Sequence, residues 1–220
     1  MRRLHLARPA RYIPALRFDW LTPLYDPLLR WVMREERFKR ILVAQAGLQA
    51  GQRALDLGCG TGTLTIMLKR AYPGADVVGL DGDPRVLEIA RRKAAEAGVG
   101  IAFDLGMAFD LPYLDNSFDR VVSSLVLHHL VRADKPRAMH QALRVLKPGG
   151  EFHLADFGKP ASTYGRLVAI AMRRFEEVAD NLDGRLPEMM RSAGFQDVVR
   201  SARLDTVFGT LEVLRGVKAE

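Results

Sequence analysis

The residues whose types and spacing best suit chemistry form a glycine-rich loop. Its sequence is Asp56-Leu57-Gly58-Cys59-Gly60-Thr61-Gly62, and it lies where a predicted strand meets a predicted helix. Three glycines at alternating positions let the backbone turn sharply and approach a ligand closely, because no Cβ intervenes. A dinucleotide fingerprint would need glycine at Thr63, and a P-loop would need a Gly-Lys-Ser/Thr ending that is absent here. Together with a downstream acid, the loop predicts a nucleoside-type cofactor.

The downstream acid is Asp81, which follows a predicted strand over residues 76–80. A carboxylate at this position can accept hydrogen bonds from both hydroxyls of a bound ribose. The alternative role is a cap for the following helix. Asp83 fits that role better, because Asp83-Pro84 combines an Asp cap with proline at the first helical position. We therefore assign Asp81, with Gly82 beside it, to cofactor binding.

Short apolar runs alternate with helical patterns around these residues, which is typical of a parallel sheet with crossover helices. Strands are predicted over residues 53–57, 76–80, 101–104, 120–124 and 151–156, and helices over 63–71, 83–97 and 136–146. Two strand-like runs, 196–204 and 206–217, leave no room for a helix between them and should pair antiparallel at the sheet edge. The sequence thus predicts an α/β fold with helices on both faces of the sheet and a C-terminal hairpin.

The chain of 220 residues suits one domain with a sizeable core. We divide it into a basic N-terminal helical lid (1–46), a cofactor-binding core (47–160), a helical acceptor-site segment (161–194) and a C-terminal β-hairpin (195–220). No apolar stretch is long enough to span a bilayer, and the arginine-rich N-terminus lacks the apolar region of a secretory signal. A single cysteine excludes a disulfide framework and a multi-cysteine metal site. We expect no metal and a cytoplasmic location.

Five parts of the chain resemble the class I S-adenosylmethionine-dependent methyltransferases. Residues 56–62 resemble that family's first motif, Asp81 its ribose-binding acid, 111–119 the stretch before its fourth strand, 123–130 the end of that strand, and 144–150 the turn into its fifth strand. The resemblance runs in order over about residues 52–156. It implies a Rossmann-like methyltransferase fold with a mostly parallel seven-stranded sheet, and S-adenosylmethionine as the cofactor.

The resemblance also implies which residues meet the cofactor. The glycines would pass its methionine part, and Asp56 would order the loop and meet the ammonium group directly or through water. Many family members have an acid for the adenine amino group; Met107 occupies that position here and would pack on the ring, while backbone near Ala108 meets its edge. Tyr25 either closes over the pocket or is an ordinary core tyrosine. The full predicted set is Tyr25, Asp56, Gly58, Cys59, Gly60, Thr61, Gly62, Asp81, Gly82, Met107, Ala108 and Ser124.

Two shorter stretches, residues 24–27 and 156–160, are similar to quinone C-methyltransferases and phospholipid N-methyltransferases, which favours a small, lipophilic or aromatic acceptor. Methyl transfer from a sulfonium is an in-line displacement that mainly requires alignment and exclusion of water. His128 and His129 follow the fourth strand, and either could be a general base for an acceptor that carries a proton. They could equally be structural or shape the acceptor pocket. His140 and His153 are assigned to packing or to the surface.

Two other functions compete with methyl transfer to a small molecule. A binding protein without turnover is favoured only by Met107. A nucleic-acid methyltransferase is prompted by the basic N-terminus, where residues 1–40 hold ten Lys and Arg against four Asp and Glu. The chain lacks an Asn/Asp-Pro-Pro-Tyr motif after the fourth strand, so we expect no nucleic-acid partner. The basic segment could instead touch an anionic membrane weakly, pack as a lid over the cofactor pocket, or remain a solvated arm.

Overall fold

Strands and helices alternate along the computed structural model, which describes residues 35–172 and 176–220. The strands are β1 (Arg53–Leu57), β2 (Asp76–Asp81), β3 (Ala102–Leu105), β4 (Phe118–Ser124), β5 (Leu146–Phe157), β6 (Gln196–Thr206) and β7 (Gly209–Val217). The helices are α1 (Glu35–Ala46), α2 (Thr63–Ala71), α3 (Pro84–Glu96), α4 (Asp134–Val145), α5 (Thr163–Met172), α6 (Glu176–Leu182) and α7 (Leu186–Ser192). A single 3₁₀ turn, Leu127–His129, follows β4 in this described part of the chain.

These strands form one sheet in the order β3-β2-β1-β4-β5-β7-β6. The pairs among β1 to β5 are parallel, whereas β7 runs antiparallel to both β5 and β6. After β1 the chain builds outward to β2 and β3, then returns past β1 to add β4, so the strand order reverses between β1 and β4. Such a reversal opens a crevice at the carboxyl ends of the strands. The predicted fold, including the C-terminal hairpin, is confirmed.

Both faces of the central strands are buried, as a parallel sheet covered by helices requires. Adjacent residues of β1 point to opposite faces: Leu55 packs in a cluster with α4 and α7, and Ala54 in another with α1 and α2. Phe38 and Leu42 are the largest side chains that α1 buries against the second face. The sheet is therefore held rigidly, and its carboxyl edge is a firm platform for a site.

Most predicted boundaries lie within a few residues of the observed ones. Helix α3 begins after Asp83, whose carboxylate accepts from Arg85 N at 2.8 Å, and Gly98 beyond its end has φ 67°, so the predicted cap and stop are confirmed. Strand β3 is shifted by one residue, and α4 begins at Asp134 instead of 136, with Pro136 tolerated in its first turn.

Three other strand boundaries also differ from the predictions. Strand β4 begins at Phe118 instead of 120, because Phe118 pairs with Leu146 before a shift in register. Strand β5 begins at Leu146 instead of 151 and so includes the Pro148-Gly149-Gly150 segment predicted as a turn. The second hairpin strand begins at Gly209 instead of 206, because Thr206 belongs to β6 and pairs with Gly209 across the turn.

Within residues 35–172 and 176–220, no helix is both long and apolar enough to cross a bilayer. The same residues contain no group of three or more His, Cys, Asp or Glu side chains that could hold a metal ion. Of the predicted N-terminal lid (1–46), only residues 35–46, which form α1, are described. The division into four parts stays a prediction.

Candidate active site

The carboxyl ends of four adjacent strands bring polar residues that are distant in sequence to one edge of the sheet. In spatial order, β2 ends at Asp81, β1 leads through Asp56 into the glycine loop, β4 ends at Ser124, and β5 carries Asp156. This edge is the crevice that the reversal of strand order creates. Seven of the predicted site residues lie in the 56–62 loop and at Asp81, and the structure brings them together there.

The glycine loop is fixed on one side and open on the other. Gly58, Gly60 and Gly62 have φ angles of 71°, 52° and 75°, in the left-handed region that favours glycine. A Cβ on Gly58 would collide with the side chain of Val126, so only glycine lets the loop pack against the chain that follows β4. A Cβ on Gly60 would meet nothing within 4 Å. A ligand can therefore approach the backbone at Gly60.

Asp81 holds this loop as well as facing the crevice. Its Oδ2 accepts a hydrogen bond from Gly60 N at 2.8 Å, and its Oδ1 accepts one from Asp83 N at 3.0 Å. Burial raises the pKa of Asp81, and these backbone donors oppose the rise. The carboxylate is half-buried, so each oxygen can accept a further hydrogen bond from a ligand. Its role towards a ribose stays a prediction.

Asp56 joins the end of β1 to α2. The residue is fully buried, and its Oδ2 accepts a hydrogen bond from Thr65 Oγ1 at 2.6 Å. Its Oδ1 is buried without a hydrogen-bond partner among the described residues. Burial raises the pKa of Asp56 to about 6, against the Thr65 hydrogen bond and the charge of Lys39, which lower it. A buried carboxylate oxygen without a partner is costly, and an ammonium group or a water would satisfy it.

Met107 lies beside the end of β2. This position agrees with the prediction that its side chain packs on the adenine ring. A Cβ on Gly82 would come within 2.7 Å of Met107 Sδ, so the two residues pack closely. Asp104, three residues earlier, already accepts a hydrogen bond from Tyr113 Oη at 2.8 Å. Ala108 is buried. Met107 and Ala108 therefore present an apolar side chain and backbone beside the end of β2, and their contact with a cofactor stays a prediction.

The remaining predicted loop residues are held by their neighbours. Cys59 is buried, and burial raises the pKa of its thiol far above the ordinary value, so the sulfur is not a thiolate. Thr61 Oγ1 accepts a hydrogen bond from Lys93 Nζ at 3.1 Å, and the same lysine binds Thr63 Oγ1 at 2.7 Å. Tyr25 lies outside the described residues.

The chain leaves β4 through an unusual turn. Leu125 has φ 59°, a conformation that a bulky side chain rarely adopts, and its N–H donates to Ala155 O at 2.8 Å. The next residue, Val126, packs on Gly58. Strained backbone of this kind persists where the surroundings fix it, and it is common at functional sites. Val126 thus links the glycine loop to the Leu127–His129 turn, which follows it directly in the chain.

His128 is hydrogen-bonded to a carboxylate that the sequence reasoning did not assign to the site. His128 Nδ1 lies 2.8 Å from Oδ1 of Asp156, which is fully buried near the end of β5. Asp156 also accepts from the backbone N–H groups of Leu127 (2.8 Å), His128 (3.4 Å) and Phe157 (2.7 Å). Burial alone would raise the pKa of Asp156, but the charge and hydrogen bond of His128 lower it.

An ionised carboxylate can only accept, so Nδ1 carries the proton that His128 shares with Asp156. The opposite nitrogen, Nε2, is then the acceptor of the ring, and it has no partner among the described residues. Phe157 holds the His128 ring edge-on, with centroids 4.9 Å apart. A histidine oriented in this way by a carboxylate is suited to accept a proton. Asp156 could have been suspected from its place at the end of a predicted strand, beside the strand that precedes the histidine pair.

His129 has no such partner. Its ring lies 4.0 Å from that of His128, and the residue keeps much of its surface exposed. Two causes lower the pKa of His129: the larger is desolvation of the ring, and the smaller is the charge of the nearby His128. The two candidates are thus distinguished by geometry, because only His128 is oriented by an acid. His140 is exposed and His153 is buried in β5, which agrees with the surface and packing roles assigned to them.

Helix α6 is tied to the chain beyond the histidine turn by buried polar groups. Arg132 donates to both carboxylate oxygens of Asp180, at 3.0 and 2.7 Å, and Lys135 Nζ donates to Asn181 Oδ1 at 2.7 Å. Asp180, Asn181 and Lys135 are all buried. Because α6 also contacts the Leu127–His129 turn, these bonds fix one wall of the space beside His128.

Comparisons with known proteins agree with this geometry. The family model described as "Methyltransferase domain" matches residues 54–150. The chain is 39% identical over 160 residues to a demethylmenaquinone methyltransferase of Thermus thermophilus, covering 71% of this chain and 72% of the relative. It is 32% identical over 225 residues to the ubiquinone/menaquinone biosynthesis C-methyltransferase UbiE of Desulfotalea psychrophila, covering 91% and 88%.

Among solved structures, the S-adenosylmethionine-dependent methyltransferase SibL in its apo form superposes with a TM-score of 0.68. The two chains are 24% identical, and the superposition covers 94% of this chain and 60% of SibL. At this identity the likeness concerns the fold, which matches the seven-stranded sheet described above.

Proposed function

This chain belongs to the class I S-adenosylmethionine-dependent methyltransferases, and on that premise we propose that it methylates a ring carbon of a lipophilic quinol of the demethylmenaquinone type. Methyl transfer to a small molecule is the activity, and S-adenosylmethionine is the cofactor. The acceptor class is taken from the names of the relatives. The observation that carries the proposal is the His128–Asp156 pair, held beside the glycine loop.

The residues of the crevice fit this cofactor. The open backbone at Gly60 suits the methionine part, and the unpartnered Asp56 Oδ1 suits a positive group such as its ammonium. Asp81 would accept from the ribose hydroxyls, and Met107 would cover the adenine. Ser124 lies at the end of β4, between these residues and the histidine turn.

When bound, S-adenosylmethionine supplies an electrophilic methyl group on a sulfonium that leaves as a neutral thioether. The protein must therefore align the acceptor with that methyl and keep water away. The turn at Leu125 and Val126 would fix the acceptor side of the crevice relative to the cofactor loop, because Val126 packs directly on Gly58. The bonds from Arg132 and Lys135 to α6 hold the adjoining wall.

A ring carbon becomes a strong nucleophile when the hydroxyl group on the same ring is deprotonated. His128 Nε2 would accept that hydroxyl proton, and Asp156 would stabilise the resulting imidazolium through Nδ1–H. After the carbon–carbon bond forms, the ring carbon would lose its own proton to solvent and aromaticity would return. The His128 imidazolium would give the first proton back to the ring oxygen, which restores the neutral histidine. The net products are the methylated quinol, the demethylated cofactor and one proton. General base catalysis of this kind contributes roughly 10²–10⁴-fold to a rate.

The experiment is transfer of an isotopically labelled methyl group from S-adenosylmethionine to a short-chain demethylmenaquinol under reducing conditions. Nuclear magnetic resonance of the product locates the label. We expect it on a ring carbon. Labelled methyl on oxygen would contradict the acceptor chemistry, and no transfer at saturating cofactor would contradict the acceptor class.

A parallel reaction with a simple phenol and a simple amine separates these outcomes. Transfer to the amine but not to the quinol would replace the proposal with nitrogen methylation, in which His128 has no hydroxyl to deprotonate. The His128→Gln variant keeps the cofactor crevice and lacks the base. It should bind cofactor normally and methylate the quinol at most at about a hundredth of the rate.

A further inference from the structure

Large apolar side chains are exposed along the outer face of α5 and at the adjoining hairpin turn. Tyr164, Leu167 and Ile170 follow one another at three-residue intervals on the helix and are 54%, 64% and 67% exposed. Val207 and Phe208, in the turn between β6 and β7, are 45% and 38% exposed. We call these five residues the α5 face. Grouped exposure of apolar side chains, unlike a single exposed leucine, marks an interaction surface.

The five residues form one surface because the hairpin turn is fixed to the helix. Tyr164 Oη donates a hydrogen bond to Val207 O at 2.8 Å. At the start of the helix, Thr210 Oγ1 accepts from Ala161 N at 3.0 Å. The opposite side of α5, with Gly165 and Ala169, is buried. The helix is therefore held by its small residues and presents its large apolar ones outward.

Positive charge borders the α5 face. A cavity of about 690 Å³ beside it is lined by the cations Lys159, Arg166 and Arg185, the acid Asp183, and the apolar residues Ile170 and Leu182, among others. Ile170 belongs to both the cavity and the α5 face, so the two are continuous. Neither Lys159 nor Arg166 has an acidic partner among the residues that the structure describes. Arg185 pairs with the buried Asp180 at 3.6 Å, so the excess positive charge of the rim comes from Lys159 and Arg166.

We propose that the α5 face and its basic rim dock onto an anionic lipid membrane. An apolar surface bordered by cations inserts shallowly into the headgroup region, with the cations near lipid phosphates. The positive charge of the rim favours an anionic membrane over two other occupants, residues 1–34 of the same chain and a second copy of the chain. Residues 1–34 of the chain carry seven arginines and two aspartates, so they would be repelled by the basic rim. A second copy would bring an equally basic rim.

Membrane docking goes beyond methyl transfer and does not rest on the acceptor proposed above. It is measured without acceptor or turnover, so either proposal can fail while the other stands. It also differs from attachment through the basic N-terminus, which is one of three roles that the sequence leaves open for that segment and which lies outside the described residues. If both hold, the two basic regions bind the same surface from different parts of the chain.

The test is sedimentation of the full chain with vesicles of phosphatidylcholine alone, or of phosphatidylcholine mixed with an equal amount of phosphatidylglycerol, at low and high salt. We expect binding to the anionic vesicles that weakens at high salt. The Leu167→Ser/Phe208→Ser variant should bind at least about fivefold more weakly. The Lys159→Gln/Arg166→Gln variant should lose about fivefold for each cation removed.

Two control variants change an exposed leucine and an exposed arginine away from the α5 face. Leu114→Ser changes a leucine that is 83% exposed, in the loop that enters β4 at the opposite end of the parallel strands from α5. Arg92→Gln removes a cation with a 70% exposed side chain from α3, which packs on β2 and β3. Both controls should bind anionic vesicles like the parent chain. Urea unfolding of all four variants confirms that they are folded.

Four results would overturn the proposal. The first is equal binding by the α5-face variants and their controls, and the second is binding that does not depend on phosphatidylglycerol. The third is a lipid-free dimer that the Leu167→Ser/Phe208→Ser variant dissociates, which would assign the surface to a second copy. Strong hydrogen-exchange protection of residues 164–170 in the lipid-free monomer, unchanged by vesicles, would assign it to another segment of the chain itself.

Discussion

Replacing Asp156 by asparagine tests the histidine–aspartate pair most directly. The substitution keeps size and shape but turns one of the two carboxylate oxygens into an NH₂ donor. If NH₂ takes the Oδ2 position, it meets the N–H groups of Leu127 and His128, and two hydrogen bonds are lost. If it takes the Oδ1 position, it meets the Phe157 N–H and His128 Nδ1, and only the Phe157 bond is lost. The second arrangement should prevail.

That arrangement reverses the histidine tautomer. The asparagine NH₂ now donates to Nδ1, so the proton of the neutral ring moves to Nε2, which can no longer accept one. We expect kcat for quinol methylation to fall by roughly 10²–10⁴-fold, the usual contribution of a general base. One orphaned backbone N–H should lower the free energy of unfolding by about 1–3 kcal/mol. Affinity for S-adenosylmethionine should be almost unchanged, because Asp156 lies on the acceptor side.

The assay is steady-state methyl transfer to the quinol, with cofactor binding measured by calorimetry and stability by urea unfolding. The control Asp119→Asn makes the same chemical change in an ion-paired aspartate, which binds Lys147 Nζ at 2.9 Å and Arg53 N at 2.8 Å at the other end of the strands. It should lose stability but retain kcat. His129→Asn should also retain most of kcat. If Asp156→Asn keeps more than half of the parent kcat at saturating cofactor, the pair is structural and the base lies elsewhere.

Three further predictions concern the cofactor half of the crevice. Gly58→Ala should lower the free energy of unfolding by about 2–4 kcal/mol, because residue 58 has a left-handed φ and the added Cβ would meet Val126. Gly60→Ala should lower it by only about 1–2 kcal/mol and should mainly weaken cofactor binding. Urea unfolding measures the stability of both variants, and calorimetry measures their cofactor affinity. Asp81→Ala should weaken cofactor binding by about 1.5–3 kcal/mol, and a calorimetric change of a few tenths would show that Asp81 only holds the loop. Burial raises the pKa of Asp56 to about 6, so below that pH this acid is protonated and cannot pair with an ammonium group. The affinity for S-adenosylmethionine should therefore fall by up to roughly tenfold for each pH unit below 6. The Asp56→Asn variant should not show this pH dependence.

The parts of the fold that the sequence predicts well are those specified by neighbouring residues. Leu55, Val78 and Val121 belong to apolar runs buried on both faces, and Asp83 and Gly98 mark the ends of α3 through local chemistry. The start of β5 depends on residues far away. Gly149 N donates to Lys218 O at 3.0 Å and Lys218 N to Gly150 O at 2.9 Å, so the end of the chain extends a strand through a segment with the composition of a turn.

The same distinction separates the two halves of the candidate site. The loop and the ribose-side acid of the cofactor half lie within 26 residues, from Asp56 to Asp81, and each has a local signature in glycine spacing or at a strand end. The acceptor half joins His128 to Asp156, 28 residues away, and Arg132 to Asp180, 48 residues away. Only the folded sheet brings those partners together, so the difference between the two histidines cannot be predicted from their neighbours in the chain.

This division has a consequence for specificity. The cofactor half needs only to hold one unchanging molecule, and its loop is fixed by contacts within β1, β2 and Val126. The acceptor half rests on α6 and the chain around Arg132, which join the rest of the protein through a few buried polar bonds. Substitutions at those bonds would move the wall beside His128 without disturbing Gly58 or Asp81. Changes in the acceptor that the enzyme prefers should therefore arise from residues 125–135 and 176–185, while affinity for S-adenosylmethionine stays nearly constant.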